Sequence, residues 1–314
     1  ISSKNSLTSS NMKDQTKERL HNFHKGFEKN VSPYLFILPF FIFFVVFALT
    51  PVVMSLILSF MEWDYSSSAT WVGLKNYQLI FDLDTLTGSE FWKSVAHTLL
   101  FAVIEMPLLI IIPFFIAFLL NHRLKGLGVC RSLIYLPAIL SISTVGIIFV
   151  VLLDTNLGVI NKIFHTDIPW LTKQPYQWIS IFLLSTWWGI GGNMVLFTAG
   201  LQGISKDLYE AADMEGCSHI EKLRYVTLPG LKNTFVYVMT MTTLSCFNVM
   251  GQPMMLTPGD ESTQVAIQFI YNTAFGGWKL GRASAMSIIM ALLMGVFSFL
   301  ALRKAIQSGR KENA

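Results

Sequence analysis

Residues 95–121 read VAHTLLFAVIEMPLLIIIPFFIAFLLN and contain one acidic residue, Glu105, and no Lys or Arg. A helix needs about 20 apolar residues to cross the hydrocarbon core of a membrane, and this stretch exceeds that length. Inside hydrocarbon a helix satisfies its own backbone hydrogen bonds, which an irregular segment does not. The stretch therefore predicts a transmembrane helix.

Five further stretches lack acidic and basic residues entirely, so that Glu105 is the only one of the 42 such side chains inside a predicted span. The composition agrees, because only 13% of residues are charged, against about 25% in soluble domains. We predict an all-α integral membrane protein, with a polar cytoplasmic tail at 1–32, a six-span domain at 33–302 and a C-terminal tail at 303–314. The six predicted spans are 33–60, 95–121, 132–153, 177–201, 233–256 and 283–302.

The positive charges predict the orientation of these spans. Cytoplasmic segments of membrane proteins are enriched in Lys and Arg. Seventeen of the 23 such residues lie in the two tails and in the second and fourth connections between spans, and six lie in the other three connections. Both termini are therefore predicted to be cytoplasmic. This asymmetry explains the net charge of +4, so no nucleic-acid partner is expected.

The longest predicted outside segment, residues 61–94, contains five acidic residues and two lysines. Its aromatic residues fit either of two structures. They can form an interfacial belt at the membrane surface, or they can belong to a small outer cap or docking surface. They include Trp63, Trp71, Tyr77 and Phe81.

The cytoplasmic connection at 202–232 has the pattern of two short helices. Ser205 is a candidate cap for a first helix, which Gly216 ends by supplying a left-handed residue. Ser218 and Glu221 then form the S-x-x-E capping box of a second helix. That second helix is predicted to stop at Leu228-Pro229.

The same connection resembles the EAA loop of ABC importer permeases, the inner-membrane subunits of binding-protein-dependent transport systems. In that family the loop precedes the penultimate span, as it does here between the fourth and fifth predicted spans. We call residues 202–232 the coupling segment. The matching positions are Glu210, Ala211, Ala212, Gly216, Thr227, Leu228 and Pro229.

Other motifs resemble the sugar-permease branch, typified by the maltose and glycerol-phosphate systems. Cys217, Val226 and the 258–261 turn depart from the usual pattern of that branch, without removing a charged or hinge residue. The similar motifs are residues 71–77 (WVGLKNY), Phe91-Trp92, Arg131 with Leu136-Pro137, and 199–202 (AGLQ).

The resemblance implies that the coupling segment sits in a cleft of a cytoplasmic ATPase. Glu210 offers a charged anchor, the two alanines allow close approach, and Gly216 makes the corner. The implied partners are a second related permease, two ATP-binding cassette subunits that hold ATP and Mg, and an extracellular or periplasmic solute-binding protein with its sugar. The implied location is the cytoplasmic membrane of a bacterium or archaeon.

Motifs for catalysis are absent from the sequence. There is no G-x-x-x-x-G-K-[ST] phosphate-binding loop, no H-E-x-x-H and no G-x-S-x-G. No Cys/His spacing typical of a metal site occurs either. We therefore expect no catalytic residues, cofactor or metal in this chain, and ATP hydrolysis by a separate chain.

Polar residues in the fifth predicted span are candidates for the substrate path. Tyr237, Ser245, Asn248 and Gln252 fall on one face of a continuous helix at about 100° per residue, interrupted by Met241. Polar groups at membrane depth line a pathway or join helices to each other, and the pattern leaves both roles open.

Further path candidates lie in the fourth and second spans. Trp187, Trp188 and Asn193 can stack on sugar rings or bond their hydroxyls, or can serve in packing. Glu105 is a candidate proton site, substrate contact or member of a buried pair. A proton- or sodium-coupled secondary transporter using Glu105 is the alternative function, although no inverted repeat is evident. A membrane scaffold would not explain the polar residues.

Overall fold

The computed structural model describes residues 32–64, 68–121 and 126–311. Except for Ser32, the predicted tail 1–32 lies outside the described residues, and so do the last three residues of the tail 303–314. The described chain divides after Ile57 into two units. Each unit is treated separately below.

Helices dominate the described chain. The α-helices in chain order are α1 Ser32–Phe44, α2 Thr50–Leu58, α3 Lys75–Phe81, α4 Leu86–Leu120, α5 Leu127–Ile139, α6 Ile142–Leu152, α7 Val159–Phe164, α8 Tyr176–Gln202, α9 Lys206–Met214, α10 His219–Lys222, α11 Leu228–Gly230, α12 Lys232–Phe247, α13 Gly251–Leu256, α14 Ala266–Tyr271 and α15 Leu280–Lys311. Turns of π-helix occupy Val45–Leu49, Leu223–Thr227 and Asn272–Gly276. The short strands β1 Met61–Glu62 and β2 Thr70–Trp71 pair antiparallel.

Four helical stretches among the described residues are long and apolar enough to cross a membrane. They are Tyr34–Leu58, Leu86–Leu120, Tyr176–Gln202 and Leu280–Phe299. Helices α5 and α6 make a fifth crossing if the bent pair counts as one span. These stretches confirm a helical membrane protein, whereas the predicted span 233–256 is not among them.

The predicted span 132–153 is two helices rather than one. Helices α5 and α6 meet at 99°. Leu140 and Ser141 are extended, and the Ser141 hydroxyl accepts a hydrogen bond from the backbone N–H of Thr144 at 3.3 Å. Such a bond caps the start of a helix, so α6 begins anew at this point.

The predicted span 233–256 is also interrupted. Helix α12 ends just before Asn248, whose side-chain amide donates to the Leu244 carbonyl at 2.9 Å. Pro253 follows in α13 and has no N–H for the carbonyl of Val249, so a regular helix through this point would lose a bond. Composition alone did not predict the break because this stretch contains no charge.

The first unit contains α1, the π-turn and nearly all of α2. The Thr50 hydroxyl donates to the Val45 carbonyl at 2.8 Å, and the rings of Phe40 and Phe44 stack at 6.3 Å. Most of its large apolar side chains are exposed. Such a surface suits contact with lipid or with another apolar helix.

The second unit is built along α4, which is roughly 50 Å long at about 1.5 Å per residue. Three buried clusters follow one another along it. The first joins Phe91 to α3, α14 and α15, and the middle one joins Phe101 to α6, α8 and α12. The third joins Phe114 to α8 and to Leu231. The two ends of α4 therefore lie at opposite ends of this unit.

The described residues of the segment 61–94 form a small cap at the beginning of α4. The Asn76 amide donates to the carbonyls of Ser59 and Met61 at 2.9 and 2.8 Å. The indole of Trp92 donates to the Ile80 carbonyl at 3.0 Å. The cap alternative therefore describes its structure better than a simple belt of aromatic residues.

Candidate functional site

The coupling segment begins at the end of α8 with a capped helix. The Ser205 hydroxyl accepts a hydrogen bond from the backbone N–H of Asp207 at 3.3 Å. This bond satisfies one of the N–H groups that a helix start leaves without an internal partner. The predicted cap of α9 is thereby confirmed.

Gly216 forms the corner between α9 and α10. Its φ is +72°, and its N–H donates to the Asp213 carbonyl at 3.1 Å while the N–H of Cys217 donates to the Ala212 carbonyl at 3.0 Å. This pair of bonds is the Schellman arrangement that ends a helix on a left-handed residue. The predicted left-handed position of Gly216 is confirmed.

The capping box at the start of α10 is also confirmed. The N–H of Glu221 donates to the Ser218 hydroxyl at 3.4 Å, and the N–H of Ser218 donates to the Glu221 carboxylate at 2.7 Å. The hydrogen bonds from the Ser218 side chain and backbone lower the pKa of Glu221. The carboxylate therefore stays charged where its charge favours the helix start.

The predicted stop at Leu228-Pro229 is wrong. The π-turn leads directly into α11, and Leu231 alone separates α11 from α12. Pro229 lies in the first turn of α11, directly after the π-turn. The N–H of Leu231 donates to the Thr227 carbonyl at 3.0 Å. The second helix thus continues almost without a break into the fifth predicted span.

Two side-chain contacts fix α9 against the turns that follow it. The hydroxyls of Tyr209 and Thr227 lie 3.0 Å apart, and Lys222 forms an ion pair with Asp213. Behind these contacts lies a cavity of about 410 Å³. Its lining connects the coupling segment to the ends of α4 and α8: Phe118, Asn121, Leu201, Tyr209, His219, Lys222, Leu223 and Thr227.

Most of the motif residues lie on the outer side of this corner, whereas Thr227 is buried. Glu210, Ala211, Leu228 and Pro229 are exposed, and Ala212 is half-buried. Charged and small residues thus face away from the helical bundle, where another chain has access to them. The structure brings all of them into one coupling segment.

Sequence reasoning missed three large apolar side chains on the same segment. Met214, Ile220 and Tyr225 are exposed, Met214 to 89%. Exposed large apolar side chains on an otherwise charged segment suit contact with another protein. Their position among charged residues on short amphipathic helices could have predicted this exposure.

The polar residues of the fifth predicted span do not share a single helix. Tyr237, Ser245 and Asn248 are exposed along α12 and at its end, together with Met241. Gln252 is half-buried in α13, beyond the break. The prediction of one helix face for all four is therefore wrong for Gln252. We call Tyr237, Met241, Ser245 and Asn248 the exposed face of α12.

The candidates in the fourth predicted span make contacts between helices. The Trp188 indole donates to the Leu140 carbonyl at 3.1 Å. The Asn193 amide donates to the Leu109 carbonyl at 2.7 Å and to the Thr242 hydroxyl at 3.0 Å. These bonds favour packing roles, since the donors that a sugar would need are already used.

Trp187 and Glu105 differ from each other in exposure. Trp187 is partly exposed and its ring lies 5.6 Å from that of Phe149. Glu105 is fully buried, and one of its carboxyl oxygens accepts a hydrogen bond from the Thr186 hydroxyl at 3.0 Å. Its other oxygen has no hydrogen-bond partner among the described residues. Glu105 thus lies inside the bundle, in contact with α8.

Comparison with known proteins assigns this chain to a family. A family model described as the binding-protein-dependent transport system inner membrane component matches residues 110–307. The probable ABC transporter permease protein YesP of Bacillus subtilis (strain 168) is 30% identical over 281 residues, covering 86% of this chain and 89% of that protein. The arabinooligosaccharides transport system permease protein AraP of the same organism is 28% identical over 286 residues, covering 88% of this chain and 89% of that protein.

A solved structure shares the fold. It is the crystal structure of a bacterial alginate ABC transporter in complex with alginate pentasaccharide-bound periplasmic protein. One chain of it has a TM-score of 0.75 at 20% identity, covering 88% of this chain and 94% of that chain. The family model covers more than half of the chain, and the relatives match most of it. This chain therefore belongs to the binding-protein-dependent transport system inner membrane components, the permease subunits of ABC transporters.

Proposed function

We propose that this chain is one of two permeases in an ATP-driven importer of a sugar or oligosaccharide delivered by an external binding protein. The observation that carries the proposal is the coupling segment, a capped two-helix corner whose charged and small residues face outward. The names of the relatives support a sugar as substrate, because AraP transports arabinooligosaccharides. As a permease subunit, the chain is not itself catalytic.

The coupling segment docks on a separate ATPase in this proposal. Glu210 and the adjacent alanines offer an anchor with little steric bulk, and Met214 and Ile220 supply apolar contact area. Because α11 continues almost directly into α12, a push on the corner reaches the spans without crossing a flexible linker. ATP and Mg are held by that partner, and this chain holds no cofactor.

The exposed face of α12 is the proposed wall of the sugar path. The hydroxyl and amide groups of Tyr237, Ser245 and Asn248 offer both donors and acceptors, as a polyhydroxylated substrate requires. Gln252 extends this wall on α13. Trp188 and Asn193 are assigned to helix packing, as their donors are used, and Trp187 remains a path candidate.

Six crossings with both termini in the cytoplasm complete the proposal. Helices α12 and α13 together form the fifth crossing, and their break near Asn248 places polar backbone beside the proposed path. Non-helical backbone at membrane depth is tolerated where it lines a water-filled cavity. The second permease faces this path, and the expected location is the cytoplasmic membrane of a bacterium or archaeon.

The test is uptake of labelled sugars into proteoliposomes that contain the assembled complex and its binding protein. Uptake should require ATP on the side of the membrane where the ATPase subunits lie. It should stop when the binding protein is left out. A secondary transporter would instead accumulate sugar on a proton or sodium gradient without ATP. That second result would overturn the proposal.

The same assay tests the path through Asn248→Ala, with Asn193→Ala as the matched control. Asn248→Ala should assemble normally but lose transport or change its preference among sugars, since losing one or two hydrogen bonds costs about 0.5–3 kcal/mol. Asn193→Ala should lower the thermal stability of the assembly, because its amide joins α8 to α4 and α12. Wild-type rates and the same order of sugars in Asn248→Ala would assign that residue to packing.

A further inference from the structure

A second large cavity lies at the end of the bundle that carries the beginning of α4. Its volume is about 560 Å³. The cap and the start of α15 form its walls, and the coupling segment lies near the other end of α4, beside Phe118. The residues that line this cavity include Glu62, Trp63, Asn76, Trp278, Lys279 and Arg282.

The walls of this cavity are held rigidly together. The N–H of Leu280 donates to the Trp63 carbonyl at 3.1 Å, and the Asn76 amide holds the Met61 carbonyl at 2.8 Å. A Cβ atom at Gly281 would lie 1.9 Å from the Met61 carbonyl oxygen, so only glycine allows α15 to approach β1 this closely. The cavity is therefore pre-formed, as ligand sites usually are.

Trp278 has a backbone conformation that few large residues adopt. Its φ is +56°, a value that is an outlier for a bulky side chain. Hydrogen bonds from the N–H groups on either side fix the turn, Gly277 to Asn272 at 2.8 Å and Lys279 to Thr273 at 3.0 Å. Glycine would adopt this φ without strain, and the indole at this position is 55% exposed and lines the cavity.

The lining combines groups that suit a neutral polyhydroxylated ring. The carboxylate of Glu62 accepts hydrogen bonds, whereas Lys279 and Arg282 donate them. Indole faces at Trp63 and Trp278 offer flat apolar surfaces against which a sugar ring can stack. An anion would meet the carboxylates of Glu62 and Asp64, and a cation would meet the two basic groups. Each sugar hydroxyl, in contrast, both donates and accepts.

We propose that this cavity is a saccharide-binding site at the outer end of the permease, separate from the path on α12. The inference rests on the proposed function as a sugar importer. Trp278 stacks on a sugar ring, and Glu62 and Arg282 bond its hydroxyls. A sugar held here would stay next to the permease between leaving the binding protein and entering the path.

The experiment measures protection of a cysteine from an impermeant maleimide in the purified permease assembly without binding protein. The reporters are Asp64→Cys, at another lining residue, and, separately, Lys279→Cys, in a background that lacks Cys130, Cys217 and Cys246. Maltotriose, lactose and arabinotriose are the probes. Labelling should slow about two-fold when the sugar concentration equals its Kd. Asp84→Cys, which lies outside the cavity, should label at an unchanged rate.

A second variant ties the protection to the ring of Trp278. Trp278→Gly removes the indole and keeps a residue that adopts positive φ without strain, so backbone distortion does not explain its effect. Protection by sugar should disappear in this variant for both reporters. Protection that survives in Trp278→Gly would overturn the assignment of the stacking surface.

Other outcomes separate this site from the proposed function. Sugar uptake by the complete complex, with no protection by any of the three probes at either reporter, would overturn this site alone. Protection by sugar-free binding protein but not by sugar would identify a protein contact and also overturn the site. Protection by sugar without ATP-driven uptake of any sugar would retain the site and overturn the proposed importer.

Discussion

Gly216 holds a corner that a side chain would strain without meeting any neighbour. A Cβ added there finds no atom within 4 Å, whereas the φ of +72° disfavours every other residue. Gly216→Val should shift the corner away from its native conformation by on the order of 1–3 kcal/mol, or roughly 5- to 150-fold. Substrate-stimulated ATPase activity and uptake by the reconstituted complex should both fall.

Gly73→Val is the matched control for this substitution. Gly73 also has positive φ, +60°, and open space around its added Cβ, but it lies in the cap at the other end of α4. It should leave ATPase stimulation much less affected than Gly216→Val does. Equal losses in the two variants, or no loss in Gly216→Val, would argue against a docking role for the corner.

Single residues show where sequence reasoning reaches its limit. The conformation of Gly216 was predictable because a helix end and a following capping box restrict its backbone locally. The partners of Trp188 and Asn193 were not, because Leu140, Leu109 and Thr242 are distant in sequence. From the sequence alone, a polar side chain that faces a substrate path cannot be distinguished from one that faces a neighbouring helix.

At the scale of elements, the capping box decides whether α10 forms. Ser218→Ala removes a cap worth about 0.5–2 kcal/mol, so hydrogen exchange of the α10 amides should accelerate about 2- to 30-fold. Ser205→Ala is the matched control, and it should accelerate exchange in α9 instead. Unchanged exchange in α10 of the Ser218→Ala variant would mean that packing, rather than the cap, holds this helix.

The pH dependence of the same helix follows from Glu221. The hydrogen bonds from Ser218 lower the pKa of Glu221. The stabilisation of α10 by the charged carboxylate is therefore complete above the ordinary glutamate pKa, and it is lost as the pH falls through the lowered pKa. The protection of the α10 amides from hydrogen exchange, corrected for intrinsic exchange rates, should therefore decrease in acid. In Glu221→Gln this decrease should be absent.

The helices themselves were easier to predict than their interruptions. Long uncharged runs indicated the membrane helices, because a charged side chain is costly in hydrocarbon. This cost is the same in a straight helix and in a bent one. The bend at Ser141 and the break after α12 depend on a serine cap, an asparagine side chain and Pro253, which are all uncharged. Hydropathy is therefore insensitive to both.

At the scale of the whole molecule, two exposed positions report on orientation. Asp84 lies just before α4, and Glu215 lies in the coupling segment, which packs near the other end of that helix. Both residues are exposed, so cysteines introduced at each will react wherever reagent is present. The background would lack the three native cysteines.

Of the 23 Lys and Arg residues, seventeen lie in the predicted cytoplasmic segments and six in the predicted outside segments. This asymmetry predicts that Asp84 and Glu215 face opposite sides of the membrane. An impermeant maleimide should label Asp84→Cys in intact cells and Glu215→Cys only after the membrane is opened. The expected orientation also places the coupling segment where a cytoplasmic ATPase can reach it, and the second cavity where external sugar can enter. Labelling of Glu215→Cys in intact cells, as fast as that of Asp84→Cys, would invert the topology and remove the physical basis of both proposals together.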